Sequence, residues 1–375
     1  MAKDINDEPF NESTKLKLDI FRECFREWFP VFKYDTWTDE VFIFDFFAGS
    51  GKDSNGEYGS PLVLLDEAKG ENRKFCYNVK KEITFIFNEA IKTKSELLKL
   101  NINTHISNCE KECNCGGCVY KKQVYQSDFK QLFNDKTTKE ILENKKYSKF
   151  ILLDQYGFSQ IDDDIFDKLI HYPKTDFIFF ISSSFIKRFQ EHPSVKKYIN
   201  TEKLNFDESK PNECHRIIAK YFRRSIPQTK DYYLHHFSIR KENSGNYYGL
   251  IFGSNHSLGM EKFLKVCWQK DRFSGESNFN IDNDFVEGEI FYNPNTSNKK
   301  EKIKLQLRDD VLKGKIKDNI SGLKLILKFG CQPSLFTEVI KELERNKKIT
   351  RSGNVNNTSA SIHKIKEPYY IKIIK

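Results

Sequence analysis

Four short, almost unbroken apolar runs constrain this chain most: Val41–Phe47, interrupted only by Asp45, then Ile83–Phe87, Phe150–Leu153 and Phe177–Ile181. A strand with one wet face alternates apolar and polar residues. Continuous apolarity at strand length instead marks strands buried on both faces, the habit of a parallel sheet. Parallel strands need crossover connections, and helical patterns lie between the runs at Pro61–Ala68, Ala90–Leu100, Ile165–His171 and Glu213–Arg224. The expected fold is therefore α/β with a doubly wound sheet. Ahead of it, Leu16, Ile20, Phe21, Cys24 and Trp28 recur at helical spacing, predicting a helix over Ser13–Phe32 that ends near Pro30.

After the last run, Tyr232–Arg240 and Tyr247–Gly253 read as two strands joined through Ser244-Gly245-Asn246, a hairpin adding an antiparallel edge. A helix over Leu258–Trp268 follows, then a stretch rich in Asn, Asp, Glu, Gly and Ser. The chain thus divides into an α/β domain (1–270), a linker (271–298) and a C-terminal domain (299–375). In the last, Lys302–Lys315 and Leu323–Phe329 are helical in pattern, and a third helix starting at Pro333 or Ser334 carries Leu335, Phe336, Val339, Ile340 and Leu343 on one face. Alternation through Ile362, Ile365, Tyr369, Ile371 and Ile373 then suggests strands, so this domain reads as winged-helix-like.

Charge divides the same way. The net charge of the 375 residues is +9, yet Lys299–Lys375 holds 19 basic and 8 acidic residues, a net of +11, leaving −2 on the rest. A basic appendage on a near-neutral body suits a polyanion such as DNA or RNA. Lys341, Arg345, Lys347, Lys348 and Arg351 are the expected contacts, the bland alternative being a solvated Lys-rich surface. No run reaches the roughly 18–20 apolar residues of a membrane span, and Met1–Glu8 is polar and acidic. The expectation is a soluble, cytoplasmic protein with no membrane partner.

The strongest local signal is Asp45-Phe46-Phe47-Ala48-Gly49-Ser50-Gly51, at the carboxyl end of the first strand. Ligands bind at that edge of an open α/β sheet, and glycines let the backbone turn tightly against them. The pattern is neither G-x-G-x-x-G nor a phosphate loop. It resembles motif I of class I S-adenosylmethionine-dependent methyltransferases, which have a Rossmann-like sheet. That resemblance implies a cofactor site of Asp45, Phe47, Ala48, Gly49, Ser50 and Gly51, with Glu89 as the acid for the ribose hydroxyls and Asp128 as the acid for the adenine amine. Asp128 also suits a helix N-cap.

Asp154-Gln155-Tyr156-Gly157, after the fourth run, resembles the Asp-Pro-Pro-Tyr motif of methyltransferases acting on base amines, without its prolines. The resemblance implies catalytic roles for Asp154, as acceptor of the amine hydrogen bond, and Tyr156, as stacking ring. Asp154 also fits a loop acid that caps the next helix. Cys109, Cys113, Cys115 and Cys118 cluster with spacing C-x3-C-x-C-x2-C, which fits a zinc site, an iron–sulfur cluster or thiols without metal. Asp162–Asp164 fits a helix start or a metal-binding carboxylate group.

Taken together, the Ser13-Thr14-Lys15 helix, the Asp45–Gly51 turn with Gly59-Ser60-Pro61-Leu62, Phe87-Asn88-Glu89, Asp154–Gly157 and the Phe252–Gly259 turn into a helix resemble the three-Cys-motif partner proteins, TcmP. Gln155 departs from that family's Asp-Pro-Phe-Gly. The resemblance implies a methyltransferase-like fold and a Cys-motif partner protein. Two functions are consistent with these features: a methyltransferase-like protein that binds S-adenosylmethionine and acts at a nucleic acid, or a catalytically silent recognition subunit of a modification or defence system.

Overall fold

The computed structural model describes residues 8–77, 79–113, 118–204, 206, 210–242, 244–293, 295–364 and 368–374. Seven strands, β1 (Glu40–Asp45), β2 (Glu82–Asn88), β3 (Lys121–Tyr125), β4 (Tyr147–Leu153), β5 (Thr175–Ile181), β6 (Tyr233–Arg240) and β7 (Tyr247–Ser254), form one sheet in the order β3-β2-β1-β4-β5-β7-β6. Strands β1 to β5 pair in parallel, and β7 runs antiparallel to β5. This is a Rossmann-like sheet of the class I methyltransferase type. The hairpin's returning strand lies inside the sheet, beside β5, rather than at its edge. The order reverses between β1 and β4, so the ligand-binding crevice of such a sheet falls beyond Asp45 and Leu153.

The chain forms two compact units, one of residues 1–232 and 239–255, the other of 233–238 and 256–375. In the first, helices α1 (Glu12–Tyr34), α2 (Ser60–Lys69), α3 (Lys92–Cys113), α4 (Phe129–Asn134), α5 (Lys136–Glu143), α6 (Asp163–His171), α7 (Ser183–Arg188), α8 (Pro193–Lys196) and α9 (Cys214–Ser225) surround the strands. Phe25 of α1 meets Phe85 and Phe150 with ring centroids 6.2 and 5.5 Å apart, while Phe46 meets Phe129 and Phe133 at 5.4 and 5.7 Å. Each such buried ring contributes on the order of 1.5–3 kcal/mol. Helix α1 runs through Pro30 to Tyr34 instead of stopping there. Burial of Phe29 and Lys33 on either side outweighs the one hydrogen bond that a proline cannot donate.

In the second unit, helices α10 (Ser257–Lys270), α11 (Asn298–Leu312), α12 (Asn319–Lys328) and α13 (Pro333–Arg345) precede a two-stranded antiparallel ladder of β8 (Ile349–Arg351) and β9 (Ile371–Ile373), with α14 (Ser359–Lys364) between them. Leu335, Phe336, Val339, Ile340 and Leu343 are all buried on α13. Ile362, expected in a strand, lies in α14, which Thr358 starts by accepting the Ser361 N–H at 3.3 Å; Ile365 is outside the described residues. Helix α10 groups with this unit rather than with the sheet domain. The start of the 271–298 stretch is folded: Asp271 accepts the N–H groups of Phe273, Ser274, Glu276 and Ser277 and is itself buried. Its polar composition there encodes a tight side-chain-capped turn.

Candidate cofactor site at the carboxyl edge of the sheet

β1 delivers Asp45 to the crevice, and the next residues turn back immediately. Gly49 and Gly51 have φ of 59° and 83°, the left-handed region that costs other residues about 1–2 kcal/mol. A Cβ on Gly51 would meet Leu98 Cδ1 at 3.1 Å. The turn is pinned at three points: Ala48 N–H donates to Asn88 O at 2.9 Å, Gly59 N–H donates to Gly51 O at 2.9 Å, and the Asn101 amide donates to Ser50 O at 2.8 Å. Phe47 is half-buried, and Ala48 and Ser50 are buried. Gly59 is the N-cap of α2 and Pro61 its second residue, where the N–H that proline lacks would have no partner within the helix.

Asp45 is fully enclosed. One carboxylate oxygen accepts the Phe47 N–H at 3.2 Å, whereas Oδ2 is buried with no hydrogen-bond partner. Burial pushes its carboxyl up to about 7, against the lowering effect of the Ser60 hydroxyl, and the nearby Asp154 charge adds to the rise. Asp176, equally buried on β5, differs: Trp28 Nε1 donates to it at 2.8 Å and Ser254 supplies a second bond. It fixes α1 to the sheet, and Asp45 is the acid left with capacity for a ligand.

Asp154, just past β4, is ion-paired. Lys17 Nζ of α1 lies 2.8 and 2.6 Å from its two oxygens, with the side chains only 10% and 15% exposed. Lys17 also sits over the Phe180 ring, 4.9 Å from the centroid. The motif search missed this lysine. Its signal was present, for Lys17 shares a helical stripe with Phe21, Cys24 and Trp28 and interrupts that stripe with a charge.

Gln155 takes over the work of the missing prolines. Its amide donates to Phe180 O at 2.9 Å and accepts the Gln160 N–H at 2.9 Å, and Ser182 N–H donates to Gly157 O at 3.0 Å, so β5 clamps the loop. Tyr156, two residues beyond Asp154, is 71% exposed.

Glu89 leaves β2 half-buried, and its Oε1 accepts the Ile91 N–H at 2.8 Å. Asp128 is the N-cap of α4, accepting from Lys130 and Gln131 N–H at 2.9 and 3.2 Å. Asn88, to which the sequence assigns no role of its own, joins these loops: buried, it donates to Phe46 O and Ser127 O and accepts the Ser127 N–H. Asp162 caps α6, Asp163 accepts from the Tyr221 hydroxyl and Asp164 pairs with Lys168, so that acidic run is structural.

Of the clustered cysteines, Cys109 and Cys118 are half-buried; the Cys113 side chain and Cys115 lie outside the described residues. Burial pushes the Cys76 thiol up, and the electrostatic influence of Cys109 and Cys118 adds to the rise. Among the described residues no group of three or more His, Cys, Asp or Glu side chains is placed to hold a metal, and the zinc expectation finds no support. Lys341, Arg345, Lys347 and Lys348 are exposed, while Arg351 is engaged by Glu344 at 2.8 Å. Among the described residues no helix is long and apolar enough to cross a membrane.

No protein-family model and no curated protein matches this sequence. Solved structures similar to it include the small RNA methyltransferase HEN1 (13% identity, 61% of this chain and 25% of that one, TM-score 0.31). An O-methyltransferase from Bacillus cereus in complex with SAH shows 12% identity over 65% of this chain and 91% of that one, with TM-score 0.31. A putative O-methyltransferase from Klebsiella pneumoniae shows 8% identity over 65% and 90%, with TM-score 0.30. The chain spans about a quarter of the length of the small RNA methyltransferase. The fold itself is defined by the order and directions of the seven strands.

Proposed function

We propose that the first unit binds S-adenosylmethionine at the carboxyl edge of β1 and serves methyl transfer at a nucleic acid. The observation that carries this reading is the buried, unpartnered Oδ2 of Asp45 beside the Gly49–Gly51 turn. A buried carboxylate oxygen without a donor costs about 1–3 kcal/mol or more, and an ammonium group removes that cost. The fit is chemical: Asp45 would accept the cofactor's ammonium, the turn would leave its backbone close to the amino-acid part, and Glu89 would face the ribose hydroxyls. Asp128 would approach the adenine amine with whatever accepting capacity its cap leaves. When bound, S-adenosylmethionine supplies an electrophilic methyl group.

Asp154 can accept a hydrogen bond from an acceptor amine once the Lys17 ammonium moves aside, and Tyr156 supplies the stacking surface. Calorimetry with S-adenosylmethionine and its demethylated product tests the binding step. Micromolar binding, lost in Asp45→Asn and Gly51→Val, is expected; no heat with either compound contradicts the proposal.

The second reading, a catalytically silent recognition subunit of a modification or defence system, is favoured by Lys17 filling both oxygens of Asp154. A transfer assay with labelled methyl donor over RNA and DNA separates the two, since silent binding leaves every acceptor unlabelled. In either reading the second unit, winged-helix-like with its exposed Lys341, Arg345, Lys347 and Lys348, would contact the polyanion. The TcmP resemblance adds a Cys-motif partner protein, testable by co-purification from cells expressing both.

A further inference from the structure

The second unit contains a cavity of about 480 Å³ between α10, α11 and α13, a volume within the range of small-ligand sites. Its charge is lopsided. Lys265, Arg272 and Lys300 line it, and the one acid on its wall among the described residues, Glu338, pairs with Lys304 at 3.2 Å. Arg272 is exposed, with its guanidinium 5.1 and 5.7 Å from the Phe273 and Tyr292 ring centroids, an arrangement that holds the planar fork in place. Lys300 stands 4.9 Å from the Trp268 ring centroid. Arg272 and Lys300 on the wall of one concavity mark a site for an anion such as a phosphate group.

A bare phosphate leaves the rest of the lining unexplained. Trp268 forms one wall with its indole N–H donated to Gly330 O at 3.0 Å, so the ring cannot turn away, and buried Leu335 continues the apolar surface. Around this wall stand three side-chain amides, Gln269, Asn295 and Gln332. An amide presents a donor and an acceptor side by side, the pattern of a nucleobase edge. A flat aromatic group against Trp268 and Leu335, its edge met by amides and its anionic tail by Arg272 and Lys300, accounts for the apolar wall, the amides and the cations together.

We propose that this cavity binds a nucleoside phosphate, either as a free nucleotide or as one residue of a single strand. The site is independent of whether the first unit binds S-adenosylmethionine, and of the exposed lysines at the end of α13.

Isothermal titration of the full chain tests it with a nucleoside monophosphate and triphosphate for each base, the matching nucleosides, inorganic phosphate, and a short single-stranded oligonucleotide. At least one nucleotide is expected to bind, with its nucleoside and inorganic phosphate each weaker by about tenfold or more. Arg272→Glu and Lys300→Gln should weaken that nucleotide by a similar factor, while Lys313→Glu leaves it within about twofold. Thermal melting of each variant confirms folding, and Trp268→Phe, which keeps most of the wall, should remove the nucleotide-induced change in tryptophan fluorescence. Binding of mononucleotides assigns the site to free nucleotides, and binding of the oligonucleotide alone assigns it to a strand. The proposal is overturned if no nucleotide or strand binds, if inorganic phosphate binds as tightly as the nucleotide, or if Arg272→Glu changes nothing.

Discussion

The carboxyl edge of the sheet and the cavity of the second unit are opposites in charge. At the sheet edge a buried carboxylate, Asp45, and a half-buried one, Asp154, lie near one lysine, and that lysine is taken by Asp154. In the cavity Arg272 and Lys300 stand on a wall whose one acid among the described residues, Glu338, is paired with Lys304. The first site lacks a positive group and the second a negative one. A net charge of +9 conceals this division, because it is local pairing, not overall balance, that decides what each site can receive.

The comparison breaks most visibly at Lys17. Lys17→Met leaves Asp154 buried without its cation and should cost about 3–5 kcal/mol in urea unfolding, whereas the double variant Lys17→Met/Asp154→Leu should recover most of it. A single variant as stable as the parent would mean that the two acids do not compete for one cation. Next in size, Gly51→Val forces a β-branched side chain to φ 83° and against Leu98, at about 1–2 kcal/mol, and should reduce cofactor affinity at least tenfold. Retained affinity would remove the turn from the site.

A pH series sharpens the role of Asp45. Its folded pKa of about 7 exceeds the unfolded value of 3.8, so between those values the folded protein holds a proton that the unfolded chain has released. Stability therefore falls as pH rises from about 4 to about 7. Asp45→Asn should flatten that fall in thermal melts, and an unchanged slope would show that Asp45 is ionised without cost. Lys149, pushed down to about 7 by burial, works in a separate window: its contribution rises from about pH 7 toward 10.5. The smallest effect belongs to the basic end of the chain. Reversing Lys347 and Lys348 should lower the salt slope of nucleic-acid binding by about two, one for each lost phosphate contact.

Much of the sheet was legible because its central strands are buried on both faces and so are written as unbroken apolar runs. β3 leaves no apolar run, for Lys121-Lys122-Gln123-Val124-Tyr125 is a half-exposed edge, and only the resemblance that singles out Asp128 points to a strand there. The Gly49–Gly51 turn was visible because only glycine adopts its backbone cheaply. The Lys17–Asp154 pair was invisible to motif reading, since it joins residues 137 positions apart and depends on which face of α1 packs on the sheet. The unpaired oxygen of Asp45 could be found only in the folded chain, because satisfaction of a buried group is a property of its surroundings.

The most direct test of the central claim is the proton count on cofactor binding. If Asp45 receives the ammonium of S-adenosylmethionine, its carboxyl must ionise, so calorimetry near pH 6 in buffers of different ionisation enthalpy should show close to one proton released, falling toward zero well above pH 7, where Asp45 is already ionised in the free protein. Tight binding with no proton released by the parent protein would contradict the account.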